Sequence, residues 1–84
     1  FLGDEMGQYY HALYLESEGK INLASQEYER AAAQGVSEAA IGRGILAQKD
    51  GDKAGAEKWY MEALRLNPES SEARVNLAML IQET

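Results

Sequence analysis

The fold of this chain is decided by the stretch GDKAGAEKWYMEALRLNP, residues 51–68. It opens with a Gly-Asp turn signal, continues through good helix formers, and ends at the only proline of the chain. Within it, Ala56, Tyr60 and Ala63 are spaced i, i+4, i+7 and therefore share one face of a helix. The stretch predicts a helix whose alanines let a neighbouring helix approach closely, with a tyrosine filling the space beside them.

The same pattern occurs 32 residues earlier in the chain. Tyr60 has its counterpart in Tyr28, and the flanking alanines of the stretch have theirs in Ala24 and Ala31. A small residue also recurs in the helix that precedes each tyrosine, at Ala12 and at Gly44. Ala78 is the corresponding residue of a third copy, which is only partly present. A repeat of this length is typical of stacked helix pairs, a class that binds other proteins more often than it catalyses reactions.

The whole chain fits five helices and no strand. No stretch combines alternating apolar and polar residues with the β-branched enrichment of a strand. The predicted helices run from after Asp4 to about Ser17, from about Ile21 to Gln34, from Ser37 to near Lys49, from Asp52 to about Leu66, and from Ser70 or Ser71 to about Gln82.

Capping and turn residues define the ends of these helices. Glycine accepts the left-handed conformation that often ends a helix, so Gly35 is predicted to end the second helix. Pro68 ends the fourth helix, because the residue before a proline avoids the helical region. Short polar side chains accept hydrogen bonds from first-turn amides, which predicts N-caps at Asp4, Ser37, Asp52, and Ser70 or Ser71.

Residues 51–68 resemble the tetratricopeptide repeat family, whose unit is a helix-turn-helix of roughly 34 residues. They carry its Gly-Asp turn, small residue, aromatic residue, Ala-Leu pair and Asn-Pro ending in register. Residues 19–33 resemble the family more loosely, with Gly19, Ala24, Tyr28 and Ala31 in place but no closing proline. The resemblance implies an all-α fold, an α-solenoid of antiparallel helix-turn-helix repeats with five helices in a right-handed superhelical stack.

The resemblance also implies a single domain, or a fragment of one, over residues 1–84. Repeat 1, which is degenerate, covers 1–36, repeat 2 covers 37–70, and 71–84 form the first helix of repeat 3. A Sel1-like repeat is the nearest alternative, but its extra glycines and longer unit are missing. Other helical hairpins stand as a further alternative.

In the tetratricopeptide family the first helix of each pair lines a concave face, and members bind peptides there. On that face three triplets spaced i, i+4, i+7 each contain two apolar residues and then a polar one. The triplets are Tyr9, Leu13 and Glu16; Ile41, Ile45 and Gln48; and Val75, Met79 and Gln82. They predict an apolar groove with a polar rim, suited to an amphipathic helix or an extended apolar segment of a partner protein. The alternative interpretation is that these stripes belong to the core.

The residues of the same face argue against one class of ligand that members of the tetratricopeptide family bind. Members that hold the acidic C-terminal tails of chaperones use lysine, arginine and asparagine side chains on the inner surface. The matching positions here hold Tyr9, Leu13, Gly42, Glu72 and Asn76, of which only the last is of the right type. A carboxylate tail would therefore find few cationic donors.

The net charge of −6, from 14 acidic and eight basic residues, argues against nucleic acid as a partner. No apolar run approaches the roughly 20 residues of a membrane span, so no direct membrane insertion is expected. No signal segment stands at the start of the sequence, and Phe1 in place of Met indicates a chain cut from a longer protein. The compartment, cytoplasmic or periplasmic, stays open.

Catalytic and cofactor chemistry is not expected. The chain has no cysteine, His11 is its only histidine, and no nucleophile or phosphate-binding glycine motif is present. The prediction is thus a non-enzymatic scaffold without metal or cofactor that binds a protein or peptide. The alternative is a structural or self-associating segment, a homo-oligomer formed through terminal helices, because the fifth helix lacks a pair to cover Leu77, Leu80 and Ile81.

Overall fold

The computed structural model describes residues 4–82, with side chains from residue 6 onward, and this part contains five α-helices and no strand. The helices are α1 (Asp4–Ser17), α2 (Ile21–Ala33), α3 (Ser37–Lys49), α4 (Lys53–Leu66) and α5 (Ser71–Gln82). The all-helical prediction is confirmed, and only α2 ends a residue earlier than expected. The side chain of Asp4, on which the predicted cap of α1 depends, and the predicted domain ends at residues 1–3 and 83–84 lie outside the described part.

Three of the four connections turn on a glycine with positive φ: Gly19 at 80°, Gly35 at 98° and Gly51 at 84°. In the last of these, the amide of Gly51 donates to the carbonyl of Gln48 and that of Asp52 to Ala47. The same two bonds recur at the other glycines, and together they satisfy carbonyls that the end of a helix leaves free. The predicted left-handed role of Gly35 is confirmed.

Two of the predicted N-caps are confirmed. The Asp52 carboxylate accepts a hydrogen bond from the Gly55 amide at 2.9 Å, and the Ser70 hydroxyl accepts one from the Ala73 amide at 3.2 Å.

The predicted cap at Ser37 is wrong. Val36 occupies the N-cap position without a side-chain bond, and Ser37 is the first residue of α3. Its buried hydroxyl donates to the Ala63 carbonyl in α4 at 3.2 Å. Burial against α4 turns the hydroxyl away from its own helix, where a cap would need it.

The core is built from small side chains with two tyrosines among them. Of the 17 buried apolar residues in the described part, ten are alanines, so the helix backbones approach one another closely. The largest fully buried side chains are Tyr28, Tyr60 and Leu80. Each helix packs chiefly on its neighbours along the chain. The recurring small residue is buried at Ala12 and Gly44.

The two buried tyrosines make the same hydrogen bond in each repeat. The Tyr28 hydroxyl donates to the Glu16 carboxylate, and the Tyr60 hydroxyl donates to the Gln48 side-chain carbonyl, both at 2.7 Å. Donor and acceptor are 12 residues apart in each case, and the two bonds are related by 32 residues. A buried phenol requires a partner, and the repeat supplies it at the end of the preceding helix.

Two glycines inside α3 make room for the tyrosine rings. A Cβ atom on Gly42 would lie 2.6 Å from the Tyr28 ring, and one on Gly44 would lie 2.6 Å from the Tyr60 ring. Residues two apart on a helix point about 200° apart, so the rings contact nearly opposite faces of α3. This close packing explains both mid-helix glycines.

A larger side chain at Gly44 should destabilise the fold. We expect Gly44→Val to lower the free energy of unfolding by about 2 kcal/mol, because the buried Tyr60 ring must move. Gly7→Val is the matched control, since a Cβ there would meet no atom within 4 Å. The control should change stability by about 0.5 kcal/mol or less. Urea denaturation followed by circular dichroism measures both, and equal losses would contradict the packing role.

Ionisation of Tyr28 should weaken the fold at alkaline pH. Burial, and then the hydrogen bond to Glu16, raise the pKa of Tyr28 above its ordinary value of 10.0. The stabilisation is therefore fully present below about pH 10 and is lost above it, where the unfolded tyrosine ionises first. We expect the free energy of unfolding to fall by up to about 1.4 kcal/mol per pH unit from this group.

The measurement is urea denaturation at a series of pH values on either side of about pH 10. Tyr28→Phe should flatten the alkaline decline, whereas Tyr14→Phe, which removes an exposed phenol, should leave it unchanged. If the free energy of unfolding fell equally with pH in the two variants, ionisation of Tyr28 would not be the cause of the alkaline decline.

Candidate partner-binding groove

A cleft of about 330 Å³ lies between α1, α3 and the start of α5. Helices α1 and α3 contribute most of its walls, α5 contributes Glu72, and Tyr28 from α2 reaches its floor. The lining residues are Tyr9, Leu13, Glu16, Tyr28, Glu38, Ile41, Gly42, Ile45, Lys49 and Glu72. The cleft is therefore a surface to which the first, third and fifth helices all contribute.

Aromatic and aliphatic side chains form the middle of the cleft. The Tyr9 and Tyr28 rings lie 6.1 Å apart between centroids and are tilted by 48°, so they pack at an angle across α1 and α2. Leu13 is 41% exposed, whereas Ile41 is only 4% exposed and Ile45 is intermediate. Leu13, Tyr9 and Ile45 thus offer accessible apolar surface above a buried floor.

Of the nine predicted groove residues, the structure brings five together in this cleft. They are Tyr9, Leu13, Glu16, Ile41 and Ile45. Ile41 is largely buried in the core. For this residue the structure agrees with the alternative interpretation, which assigned all three stripes to the core.

The other four predicted residues do not line the cleft. Gln48 is half-buried and accepts the hydrogen bond of Tyr60. Val75 and Met79 are 54% and 57% exposed on α5, where Gln82 is also exposed. Their counterparts Ile41 and Ile45 are buried and half-buried, respectively, because α3 has a packed helix on each side, while in the described part α5 packs chiefly on α4.

The rim of the cleft is charged unevenly. At one end, the Lys49 ammonium lies 3.5 Å from the Glu16 carboxylate, so these charges offset each other. At the other end stand Glu38 and Glu72, in the first turns of α3 and α5. The pKa of Tyr9 is raised by partial burial, then by the negative charges of Glu72 and Glu38.

The predicted groove residues included neither Glu38 nor Lys49, and Glu72 was named on the inner surface only as a position that lacks a cation. Glu38 lies three residues before Ile41, and Glu72 lies three residues before Val75, so each continues an apolar stripe by one turn toward the helix start. Extending the predicted triplets by one helical turn would have found both. Lys49 follows Ile45 by four residues and was available by the same rule.

Trp59 lies on a separate surface formed by α2 and α4. It is half-buried against the core and lines a second cavity of about 300 Å³. The Arg43 guanidinium lies 5.8 Å from the centroid of the Trp59 ring and donates to Glu29 at 2.8 Å. Arg43 thus connects three helices, which gives this surface a packing role.

The one histidine of the chain lies beside a carboxylate that is already paired. The His11 imidazole lies 3.7 Å from the Glu27 carboxylate, which also accepts from Arg30 at 2.6 Å. No group of three or more potential metal ligands occurs within residues 4–82. None of the five described helices has the length and apolar character that a bilayer span requires.

A comparison of the sequence with protein-family models and with curated proteins found no match.

Proposed function

We propose that this chain is a tetratricopeptide-type repeat segment that binds a peptide or helix of a partner protein in the cleft between α1, α3 and α5. The proposal is carried by one observation: three helices alternate in the chain yet line one partly apolar cleft. That arrangement is expected of antiparallel helix pairs stacked into a right-handed superhelix, in which first helices share the concave face. The activity is binding rather than catalysis.

Repetition at the level of contacts supports the stacked arrangement. The tyrosine hydrogen bond recurs with the 32-residue spacing of the sequence repeat. The glycine turns at Gly19 and Gly51, also 32 residues apart, have the same pair of backbone bonds. The described part is flat, with extents of 39 × 29 × 15 Å, as expected for a short row of helix pairs.

The size and composition of the cleft favour a peptide over a larger surface. Its volume is at the lower end of the range of about 300–1,000 Å³ found for ligand pockets. Apolar side chains of a peptide can enter beside Leu13, Tyr9 and Ile45, which are accessible before binding. A helix would place such anchors at i, i+3, i+4 and i+7.

Leu13→Glu should weaken peptide binding without unfolding the chain. A displayed library of random peptides selected on the wild-type protein supplies the ligands, and their affinities are measured by fluorescence anisotropy. We expect Leu13→Glu to weaken binding at least tenfold, which is about 1.4 kcal/mol, because it places an unpaired charge among the apolar anchors. Ile45→Glu on α3 should act in the same direction.

Met61→Glu is the matched control, because Met61 is 56% exposed on α4 and lies outside the cleft. Circular dichroism must show that all variants are folded. Equal binding by Leu13→Glu and wild type, or no peptides enriched by selection, would refute the groove.

Self-association is the second candidate function, and the exposed face of α5 favours it. Val75 and Met79 are each more than half exposed, and Ala78 beside them is exposed where its counterparts Ala12 and Gly44 are buried. Of the three residues that the sequence predicted to be uncovered, Ile81 is 54% exposed, whereas Leu80 is buried and Leu77 is half-buried against the core. The small residue and its apolar neighbours suit close contact with another helix. A second copy of the chain could supply that helix through its own α5.

Sedimentation equilibrium over a wide range of protein concentrations tests self-association. If α5 pairs with a second copy, the average mass should rise toward that of a dimer, and Met79→Lys should restore the monomer mass. Met61→Lys, at an equally exposed methionine of α4, should leave the dimer intact. A monomer mass at every concentration would exclude this second candidate.

A further inference from the structure

We infer that the segment bound in the cleft is cationic, with apolar anchors followed or preceded by lysine or arginine residues that lie beside Glu38 and Glu72. This inference rests on the proposed function, because it specifies the partner of the same cleft. It specifies the charge of the ligand and the end of the cleft at which that charge lies, neither of which the apolar surface alone defines.

The two carboxylates have equivalent places in successive repeats. Glu38 and Glu72 are each the second residue of their helix, and both line the one cleft. Both are exposed, and neither forms an ion pair with another described residue. They are therefore available to a cation that enters from solvent.

The remaining charges of the cleft do not neutralise these two. Its lining contains three carboxylates and one ammonium group, and the ammonium of Lys49 is engaged by Glu16. The net charge of the lining is thus −2, and it is concentrated at the end formed by the first turns of α3 and α5. The chain as a whole, at −6, reinforces the attraction of a basic segment.

Tyr9 lines the same cleft as the two carboxylates. Tyr9 lies between the apolar centre and the acidic end, and after burial the largest influences that raise its pKa are Glu72 and Glu38. A lysine or arginine entering beside Tyr9 could pair with a carboxylate while its aliphatic stem packs on the ring.

Charge at one end and apolar surface in the middle together define an oriented ligand. Leu13 and Ile45 accept apolar anchors, and the basic group points toward the start of α3 and α5. The first-turn carboxylates also stabilise their helices through the helix dipole, so they can remain without a counter-ion in the free protein. An acidic segment would be repelled from this end.

Random-peptide selection on the wild-type chain tests the inference through the composition of the enriched sequences. We expect lysine and arginine to be enriched next to apolar residues and aspartate and glutamate to be depleted. The affinity of an enriched basic peptide should fall as salt increases, since the carboxylates at the rim are exposed and screened.

The double variant Glu38→Gln/Glu72→Gln isolates the two carboxylates. The double variant should bind an enriched basic peptide about three- to tenfold more weakly than wild type does. A version of that peptide with glutamine in place of its basic residues should bind the double variant and the wild type with equal affinity. Glu57→Gln/Glu69→Gln is the matched control, because it removes the same charge from exposed positions outside the cleft. The control should retain wild-type affinity.

The outcomes separate this inference from the proposed function. Suppose that the enriched peptides have no excess of basic residues but bind Leu13→Glu more weakly than wild type. This outcome would overturn the cationic ligand and would still support the groove. An equal loss of affinity in both double variants would likewise overturn the cationic ligand, because the net negative charge of the chain, and not the two carboxylates of the cleft, would then account for the attraction. If no peptide is enriched, both the groove and its cationic ligand are refuted.

Discussion

The close packing of two tyrosine rings against two glycines of α3 is the constraint on which the rest of the structure depends. Gly42 admits the ring of Tyr28 from α2, and Gly44 admits the ring of Tyr60 from α4. A side chain at either glycine would push a neighbouring helix away. Because α3 is the central helix, these two contacts set its separation from both of its neighbours along the chain.

The same packing connects the core to the cleft. Gly42 lines the cleft and leaves room for the Tyr28 ring at its floor. Glu16 then has two roles, since it accepts the hydroxyl of Tyr28 and lies 3.5 Å from the Lys49 ammonium at the rim. In the second repeat Gln48 accepts the equivalent hydroxyl with a neutral group. The acceptor of the tyrosine hydroxyl is therefore charged in the first repeat and neutral in the second.

Position in the row of helices separates apolar residues that the sequence presents as equivalent. Ile41 and Val75 occupy matching places, yet the first is buried and the second is 54% exposed. The difference follows from the neighbours of each helix, because α3 is enclosed by packed helices and α5 contacts chiefly α4. The proposed binding surface and the proposed self-association surface thus arise from one repeated stripe in two environments.

The sequence by itself determined the helices, their turns and the tyrosine pattern. These features depend on local chemistry: glycine at positive φ, a short polar cap, a proline after α4, and helical spacing of alanine and tyrosine. Five residues of the cleft were also among those predicted, because the family resemblance indicated the face and helical periodicity gave the spacing along it. Only the tertiary structure decided that Ile41 is core, that Ser37 bonds to α4, and that Glu38 and Glu72 share one end of the cleft. Those outcomes depend on contacts between residues far apart in the chain, which helical spacing within one segment does not specify.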